Sequence, residues 1–345
     1  MTALALRRGT VVSVEEPGAL TRLTVDVGGE QRSAISYERM TGPVEAGDDV
    51  VVNVAARDLG LGSGGFDIVH VNLTRGLDGT GAQDAHVMKL NYSSLQHAVH
   101  PVEESAGGPI DQPLLELPLR KPVAVISLHG QLPCVAWAAA QLQPGLRVGF
   151  VQTAGGALPG SLSDVVRDLL DRGLLCGHVT AAPAFDGEHE AISAPGAIHA
   201  ALTVLGWDAC IAGPGPGILG SATALGHGGL AGLDTAHASL SLGCPTIMVP
   251  RMSSGDARPR HQGLSHHTAT VLELLLKPAL VAVPAGALVS LPGDHEARAA
   301  EVDLEGYAES QLPARTMGRS IEEDELFFRA ALAGGYVLAE EVAGP

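Results

Sequence analysis

The chain has 345 residues, of which 46% are hydrophobic and 17% charged, a globular composition that leaves room for two domains and excludes a largely disordered protein. Its formal net charge of −17 at pH 7 argues against nucleic acids and anionic membranes as partners. Aromatic residues make up only 3%, so close packing must come from Val, Leu, Ile and Ala, as is common where helices cover a parallel sheet.

Residues 1–75 are predicted to form a small β-barrel module. Turn signals such as Gly28-Gly29 and Gly42-Pro43 separate five short segments that are rich in β-branched residues. Five strands in so short a stretch are typical of closed or nearly closed barrels of OB or SH3-like size. The module has one Tyr, one Phe and no basic stripe, so we expect a structural or dimerising role and not nucleic-acid binding. The predicted strands are RGTVVSVEE, RLTVDVGG, QRSAISYE, DDVVVNVA and FDIVHVNL.

Residues 76–120 form a bridging segment between two regions of regular pattern. Within it, HVMKLNYSSLQHAVH predicts one or two strands and SAGGPIDQP is typical of an exposed linker. From residue 121 to 335, apolar strands alternate with helices, which predicts right-handed βαβ crossovers. We therefore expect a Rossmann-like α/β domain with a doubly wound parallel sheet. Its six predicted strands are PVAVISL, RVGFVQT, HVTAAPA, DACIAGP, PTIMVP and LVAVPA.

The loop RMSSGDARPRHQGLSHHT, residues 251–268, is the strongest indication of a functional site. It follows the fifth apolar strand of the α/β domain, and polar groups concentrated in such a loop are typical of binding or catalysis. In an open α/β sheet, ligands bind outside the carboxyl ends of the strands, so neighbouring loops should meet there. We expect one cleft with the ligand-binding residues His129, Gly213, Gly215, Gly217, Gly220, His227, Arg251, Arg258 and Arg260.

Three histidines and one carboxylate in this loop are the candidate catalytic residues. Ser265 is predicted to cap a helix, which places His266 and His267 in its first turn, where the helix dipole disfavours the imidazolium form. Together with His261 and Asp256 they form an N/O ligand set suited to a divalent metal such as Zn, Mn or Fe. The alternative is that the paired histidines only hydrogen-bond loop carbonyls, and the sequence leaves both open.

Gly215, Gly217 and Gly220 match the GxGxxG pattern of loops that hold a phosphate at a helix N-terminus. The match follows the fourth strand of the domain, not the first, and two prolines interrupt it. A phosphate cradle and a tight turn without a ligand are both consistent with this pattern, whereas a NADP site is not favoured. The sequence contains no Walker motif and no nucleophile elbow at a strand end, which disfavours P-loop NTPases and hydrolases with a serine triad.

Four motifs in fixed order carry a family resemblance: GGFDIVHVNLTRGL, HVMKLNYSSLQ, GPGPGILGSATALGHGG and RMSSGDARPRHQGLSHHT. They resemble an uncharacterised family of bacterial proteins known only as a domain of unknown function. The resemblance runs from about Arg8 to about Gly335. It implies a cytosolic bacterial protein with one intact architecture, and it implies no activity, cofactor or catalytic residue.

Functions from different classes fit these observations. The first is an enzyme, a hydrolase or transferase, that acts on a small anionic or phosphorylated metabolite. The second is a non-catalytic metabolite-binding regulator or assembly protein whose barrel mediates homo-oligomers, and a NADP-type dinucleotide-binding protein is a third. Fourteen histidines favour the enzyme, because a sensor of anions needs arginine and glycine more than imidazole. We expect a cytoplasmic protein, since the sequence has no recognisable signal peptide, membrane span or CxxC pair.

Overall fold

The structure is a computed structural model that describes residues 3–62, 64–106, 117–221 and 223–344. The chain divides into two compact units, Met1–Val99 and His100–Pro345. From residue 107 onward, the predicted linker SAGGPIDQP lies outside the described residues. None of the helices in the described ranges combines the length and apolarity that a membrane crossing needs.

The N-terminal unit contains a closed five-stranded barrel. Its strands are β1 (Leu6–Glu16), β2 (Leu20–Val27), β3 (Glu30–Tyr37), β4 (Asp49–Asn53) and β5 (Asp67–Asn72), with the short helices α1 (Glu38–Thr41) and α2 (Ala55–Asp58) flanking β4. The strand order is β1-β2-β3-β5-β4, and only the β3–β5 pair is parallel. Apolar residues alternate along the strands, so one face of each fills the barrel, where Val25, Val50 and Val52 are fully buried. The hairpin of β6 (Val87–Lys89) and β7 (His97–Val99) follows.

The second unit is built on an eight-stranded parallel sheet. Its strands are β8 (Val123–Ile126), β9 (Val148–Thr153), β10 (His178–Ala181), β11 (His189–Ala191), β12 (Ala209–Pro214), β13 (Thr246–Val249), β16 (Leu280–Pro284) and β17 (Glu296–Ala300). Two small hairpins lie outside the sheet, β14 (Met252–Ser253) with β15 (Gly263–Leu264) and β18 (Arg315–Thr316) with β19 (Arg319–Ser320). The helices are α3 (Leu132–Leu142), α4 (Asp164–Asp171), α5 (Ala194–Thr203), α6 (Ala231–Ser241), α7 (His266–Leu274), α8 (Leu304–Glu309) and α9 (Glu325–Ala343).

Helices cover both faces of this sheet. Ala124 and Ile126 of β8 belong to one buried apolar cluster with residues of α3, α4, α8 and α9, whereas Val123 and Val125 belong to a second cluster with residues of α5, α6 and α7. This explains why β8 is apolar at every position, since a strand buried on both faces has no solvent side. The predicted fold class, a Rossmann-like doubly wound parallel sheet preceded by a β-barrel module, is confirmed.

The strand order, β11-β10-β9-β12-β8-β13-β16-β17, locates the topological switch point. After β8 the chain moves to β9 on one side, and after β12 it moves to β13 on the other side. β8 and β12 are neighbours, so their outgoing loops part at the carboxyl edge and leave a crevice between them. This is the edge at which the polar loops of the sequence emerge.

The two edge strands, β11 and β17, are not among the six that the apolar pattern predicts. An edge strand pairs on one side only and does not need an unbroken apolar run. In β17, Glu296 and Arg298 alternate with alanines and form an ion pair on the surface. Short polar edge strands of this kind are hard to distinguish from loops by pattern alone.

Two glycines let helix α9 pack closely against β13 and α3. A side chain at Gly334 would collide with Val249 of β13, and one at Gly335 would collide with the backbone of Val135 in α3. Glycine at both positions lets the helix backbone approach the sheet and α3 directly. The N-terminus of α9 is thereby fixed beside the loop that follows β13, where Asp324 contacts Ser253.

Candidate functional site

A cavity of about 630 Å³ lies at the carboxyl edge of the sheet in the second unit. The loops that follow β12, β8 and β13, three neighbouring strands, form most of its wall. The hairpin β18–β19 closes the remaining side. The lining residues that carry a charge or an imidazole are Arg251, Arg258, Arg260, Arg315, Arg319, His129, His261 and His267.

The loop after β13 is held in place by its own backbone pairing. Met252 pairs with Leu264 across the β14–β15 hairpin, which brings the two ends of the loop together. Ser265 then caps α7, because its side chain accepts a hydrogen bond from the backbone N–H of His267. The predicted helix start at Ser265 is therefore confirmed, and His266 and His267 occupy its first turn.

Asp256 is buried and pairs with two cavity-lining arginines through both carboxylate oxygens. Arg258 donates from Nε to Oδ1 at 2.9 Å and from Nη2 to Oδ2 at 2.7 Å, and Arg251 Nη2 donates to Oδ2 at 3.1 Å. The Arg258 guanidinium holds the pKa of Asp256 well below its usual range. The sequence predicts Asp256 as a catalytic and metal-binding residue. In this arrangement its carboxylate can bind a metal ion or transfer a proton only if its ion pairs with Arg251 and Arg258 break.

Asp324 joins the loop after β13 to the N-terminus of α9. Its carboxylate is fully buried and accepts hydrogen bonds from the Ser253 hydroxyl, from the backbone N–H of Ser254 at 2.8 Å and from Arg319 Nε at 2.8 Å. A buried carboxylate with this many donors is fixed in place. Asp324 therefore positions both the loop and Arg319, although it does not line the cavity.

Positive charge exceeds negative charge around the cavity. Five arginines line it, and the three carboxylates paired with them are Asp256, Asp324 and Glu323. Burial lowers the pKa of Arg251 to about 10, so this side chain stays cationic at neutral pH. Arg260 makes no ion pair with a carboxylate among the described residues, and its side chain is exposed at the cavity. The cavity thus has an excess of about two positive charges in a strongly acidic chain.

Four histidine rings lie in contact beside the cavity. His227 and His267 are stacked, with ring centroids 3.7 Å apart and planes 9° apart. The His266 ring lies 4.4 Å from the His267 ring, and the His261 ring lies 4.9 Å from each of these two. His261 and His267 line the cavity, whereas His227 is buried behind them.

These imidazoles are neutral at physiological pH. Burial lowers the pKa of His261 to about 4 and that of His267 to about 2, and the nearby Arg251 acts in the same direction. The pKa values of His227 and His266 are also lowered, in both cases mainly by burial. A neutral imidazole keeps a free lone pair, which is what metal ligation and proton acceptance require.

His129 occupies the opposite part of the wall, after β8. Its Nε2 atom lies 2.7 Å from Ser163 Oγ and its Nδ1 atom lies 3.2 Å from the carbonyl oxygen of Pro214. Since a carbonyl only accepts, Nδ1 carries the proton and Nε2 accepts from the Ser163 hydroxyl. Burial lowers the pKa of His129 to about 4. The ring therefore fixes the loop after β8 against the end of β12.

The glycines at the end of β12 and in the loop that follows it fall into two groups. Gly213 and Gly215 are buried where a side chain would collide with the backbone of Ile126 and Ala157. Gly217 and Gly220 line the cavity, and a side chain there would meet no close backbone. Helix α6 begins only at Ala231, so this loop does not lead directly into a helix N-terminus as a dinucleotide-binding loop does.

The structure brings most of the predicted site residues together and separates a few from the cavity wall. His129, Gly217, Gly220, Arg251, Arg258, Arg260, His261 and His267 line the cavity, while Gly213, Gly215, His227, Asp256 and His266 are not among its lining residues. Sequence reasoning missed Arg315, Arg319 and Asp324. For the two arginines, the available sequence signal was Met317-Gly318, which lies between Arg315-Thr316 and Arg319-Ser320. In the structure these two residues form the turn of the hairpin, and both have positive φ.

These observations define a protein with a small β-barrel unit and a Rossmann-like α/β unit whose carboxyl edge holds an arginine- and histidine-lined cavity. Residues 33–335 match the family model described as "Protein of unknown function (DUF3866)". The chain therefore belongs to this family, and the resemblance found in its motifs is confirmed.

Two further comparisons add little. No curated protein matches the sequence. Among solved structures, the crystal structure of YjeQ from Thermotoga maritima is similar at 10% identity, with 78% of this chain and 64% of that chain covered and a TM-score of 0.15. The chain thus spans less than two thirds of that structure's length, and so low a TM-score carries no argument about fold or function.

Proposed function

We propose that the protein is an enzyme, a hydrolase or transferase, that binds a small anionic or phosphorylated metabolite in the arginine-lined cavity. The observation that carries this proposal is the surplus of arginine: five arginines converge on one cavity of a chain whose net charge is −17. Keeping so many cations together has an electrostatic cost that a bound anion would relieve. Arginine is also the side chain best suited to bidentate binding of phosphate or carboxylate groups.

The position and size of the cavity support a small ligand. Open α/β sheets bind their ligands in the crevice at a switch point, and this cavity lies beside the neighbouring strands β8 and β12. Its volume of about 630 Å³ falls within the range of small-molecule sites. Gly217 and Gly220 leave room on the wall for a ligand to approach the backbone.

The histidines on the same wall favour an enzyme over a simple receptor. His129, His261 and His267 face the cavity that holds the arginines, and imidazole is the side chain most often used for proton transfer. His261 is held by Ser265, whose Oγ atom lies 2.7 Å from its Nδ1 atom. A neutral imidazole oriented by a second side chain next to an anion site is suited to accept a proton during hydrolysis or group transfer.

The alternative functions are less well supported. A dinucleotide site requires a glycine loop that opens a helix, whereas here Gly213 and Gly215 serve close strand packing and the helix starts at Ala231. A non-catalytic regulator would use the same arginines. It differs from an enzyme in that the bound metabolite is not converted.

The experiment is a calorimetric titration of the full chain with inorganic phosphate and pyrophosphate at two ionic strengths. The anion affinities of the R260Q and R167Q variants are compared with that of the wild type. Arg260 lines the cavity without a carboxylate partner among the described residues, whereas Arg167 is exposed on α4 and pairs with Asp164. We expect R260Q to weaken anion binding at least about tenfold, which is the loss of one charge-assisted hydrogen bond, and R167Q to leave it unchanged. Absence of anion binding, or equal loss in both variants, would contradict the proposal.

A second assay separates enzyme from regulator. Phosphate mono- and diesters and small carboxylate esters are incubated with wild type and with H261N, and the products are measured. We expect turnover of at least one class by the wild type, and its loss in H261N while anion binding is kept. Anion binding without turnover of any class would favour the regulator.

A further inference from the structure

Behind the cavity wall, His227, His266 and His267 offer three imidazole nitrogens that all lie within 4.8 Å of one another. The three rings reach this point from two separate elements. His227 precedes the short turn of 3₁₀ helix Gly228–Leu230, and the other two begin α7. Nitrogen ligands of one tetrahedral ion lie roughly 3.4 Å apart for a metal–nitrogen distance of about 2.1 Å. Small side-chain rotations that move each of the three nitrogen atoms by about 1 Å would bring them to that spacing.

Unpartnered ring nitrogens provide a second, independent observation. His227 is only 6% exposed, and neither of its ring nitrogens has a partner of good hydrogen-bond geometry among the described residues, although the backbone of Ala224 is near. The Nε2 atom of His266 is likewise buried without a partner in the described part of the chain. A buried polar atom that is left without a partner destabilises the fold, because it loses its hydrogen bonds to water. Orphaned nitrogens on two rings of one cluster, His227 and His266, are unusual for a structural contact and are expected of metal ligands.

Gly229 leaves the nitrogen atoms open. A Cβ atom built on Gly229 would lie 3.1 Å from His227 Nδ1 and 3.7 Å from His267 Nδ1. Any side chain at this position would therefore cover the two Nδ1 atoms at once. The φ angle of Gly229 does not require glycine, so the space beside the rings is the feature that a larger residue would remove.

From this geometry we propose that His227, His266 and His267 bind one divalent transition-metal ion of the zinc class. Imidazole ligands suit Zn, Ni and Cu, and they exclude Mg and Ca, which prefer oxygen. Three histidines are the ligand number of an open zinc site, which keeps a further position for water or for an anion. Because His267 also lines the arginine-lined cavity, the ion would lie at the wall of the proposed anion site.

Arg251 competes with the ion for one ligand. Its Nη1 atom lies 3.3 Å from His267 Nδ1, so the guanidinium donates to the lone pair of this nitrogen. Metal binding at this nitrogen replaces that hydrogen bond and frees one side of Arg251 toward the cavity. The same charge repels a cation, and the buried Asp256 that pairs with Arg251 reduces this repulsion.

The experiment uses the untagged full chain, dialysed against a chelator and titrated calorimetrically with Zn²⁺ alone and with Co²⁺ alone. We expect one ion per chain, and visible absorption of tetrahedral character with Co²⁺. H227A should weaken Zn²⁺ binding at least about 100-fold, since loss of a direct ligand exceeds the effect of losing an outer partner. H189A is the matched control, because His189 is exposed on an edge strand, and it should bind as the wild type does.

G229A is a second variant that removes no ligand. Its added methyl should weaken Zn²⁺ binding while circular dichroism and melting temperature stay near those of the wild type, and it decides the question if H227A fails to fold. Lack of stoichiometric binding by the wild type would overturn the proposal, and so would equal binding by wild type and G229A. Since the probe is the metal alone, failure here leaves the anion proposal standing, and failure of anion binding leaves the metal site standing.

Discussion

The Nδ1 atom of His261 lies 2.7 Å from the Oγ atom of Ser265, the residue whose side chain also caps α7. One buried hydroxyl thus links the 3₁₀ turn Pro259–His261 to the first turn of the next helix. The oxygen can accept from the backbone N–H of His267 and still share a hydrogen with His261. The orientation of the cavity-lining imidazole and the start of the helix therefore depend on the same atom.

Ser265→Ala is expected to remove both functions of this hydroxyl. Loss of the cap should lower the free energy of unfolding by about 1 kcal/mol. Loss of the contact with His261 should in addition alter the ring's NMR chemical shifts and weaken turnover or anion binding. Ser193→Ala is the control, because Ser193 caps α5 in the same unit and is exposed. It should cost stability without changing the His261 shifts, and equal effects on those shifts would contradict the proposed coupling.

Asp256 and Arg258 should differ strongly in their effect on stability, although they are partners. Asp256→Asn leaves the buried Arg251 without its counterion, and breaking a buried pair in this way costs roughly 3–5 kcal/mol. Arg258→Ala removes a side chain that is 51% exposed and leaves Asp256 paired with Arg251 and near Arg319 at 3.7 Å. We expect a loss of only about 1 kcal/mol or less from it. Urea denaturation checks this, and similar losses from the two variants would refute the asymmetry.

Much of the fold could be predicted from local sequence. β8 is apolar throughout, and β9 and β13 are apolar except at Gln152, Thr153 and Thr246. Ser265 ahead of an apolar helix marks the start of α7. Such signals are visible in the sequence because burial and capping act over a few residues. The position of β12 between β8 and β9 could not be predicted in this way. Pairing of fully buried parallel strands depends on tertiary packing, which no local period encodes.

The site was only partly accessible from sequence for a similar reason. The loop 251–268 is dense in polar residues and is recognisable by composition alone. Arg319 and Asp324 lie far from it along the chain, and their contribution depends on α9 packing beside Ser253. The sequence placed His227 in the same cleft but grouped His266 with His261, His267 and Asp256 as metal ligands, because the close approach of His227 to His266 is set by tertiary structure.

The glycines after β12 should respond to substitution in two different ways. Gly215→Ala places a methyl against the backbone of Ala157 and the Gln152 side chain, and overpacking of this kind costs roughly 1–3 kcal/mol. Gly220→Ala meets nothing closer than 3.7 Å, from His227 Cβ, at an exposed position with ordinary φ, and it should leave stability nearly unchanged. Thermal denaturation of both variants measures the contrast. A stable Gly215→Ala protein would mean that this glycine is not required for strand packing.

His129 should make folding stability depend on pH in a defined window. In the folded chain burial lowers its pKa to about 4, whereas a histidine in the unfolded chain titrates near 6.5. Between these values the unfolded chain binds a proton that the folded chain does not, so the free energy of unfolding falls as the pH drops from about 6.5 to about 4.

His129→Asn keeps a donor near the Pro214 carbonyl and removes the titration. Compared with the variant, the wild type should lose stability more steeply in this window, by up to about 1.4 kcal/mol per pH unit, because one proton is linked to unfolding. The other histidines with lowered pKa values, His227, His261, His266 and His267, act in the same direction and remain in both proteins, so the difference between the two denaturation profiles isolates His129. Parallel profiles from pH 4 to pH 7 would show that His129 is not buried as a neutral ring.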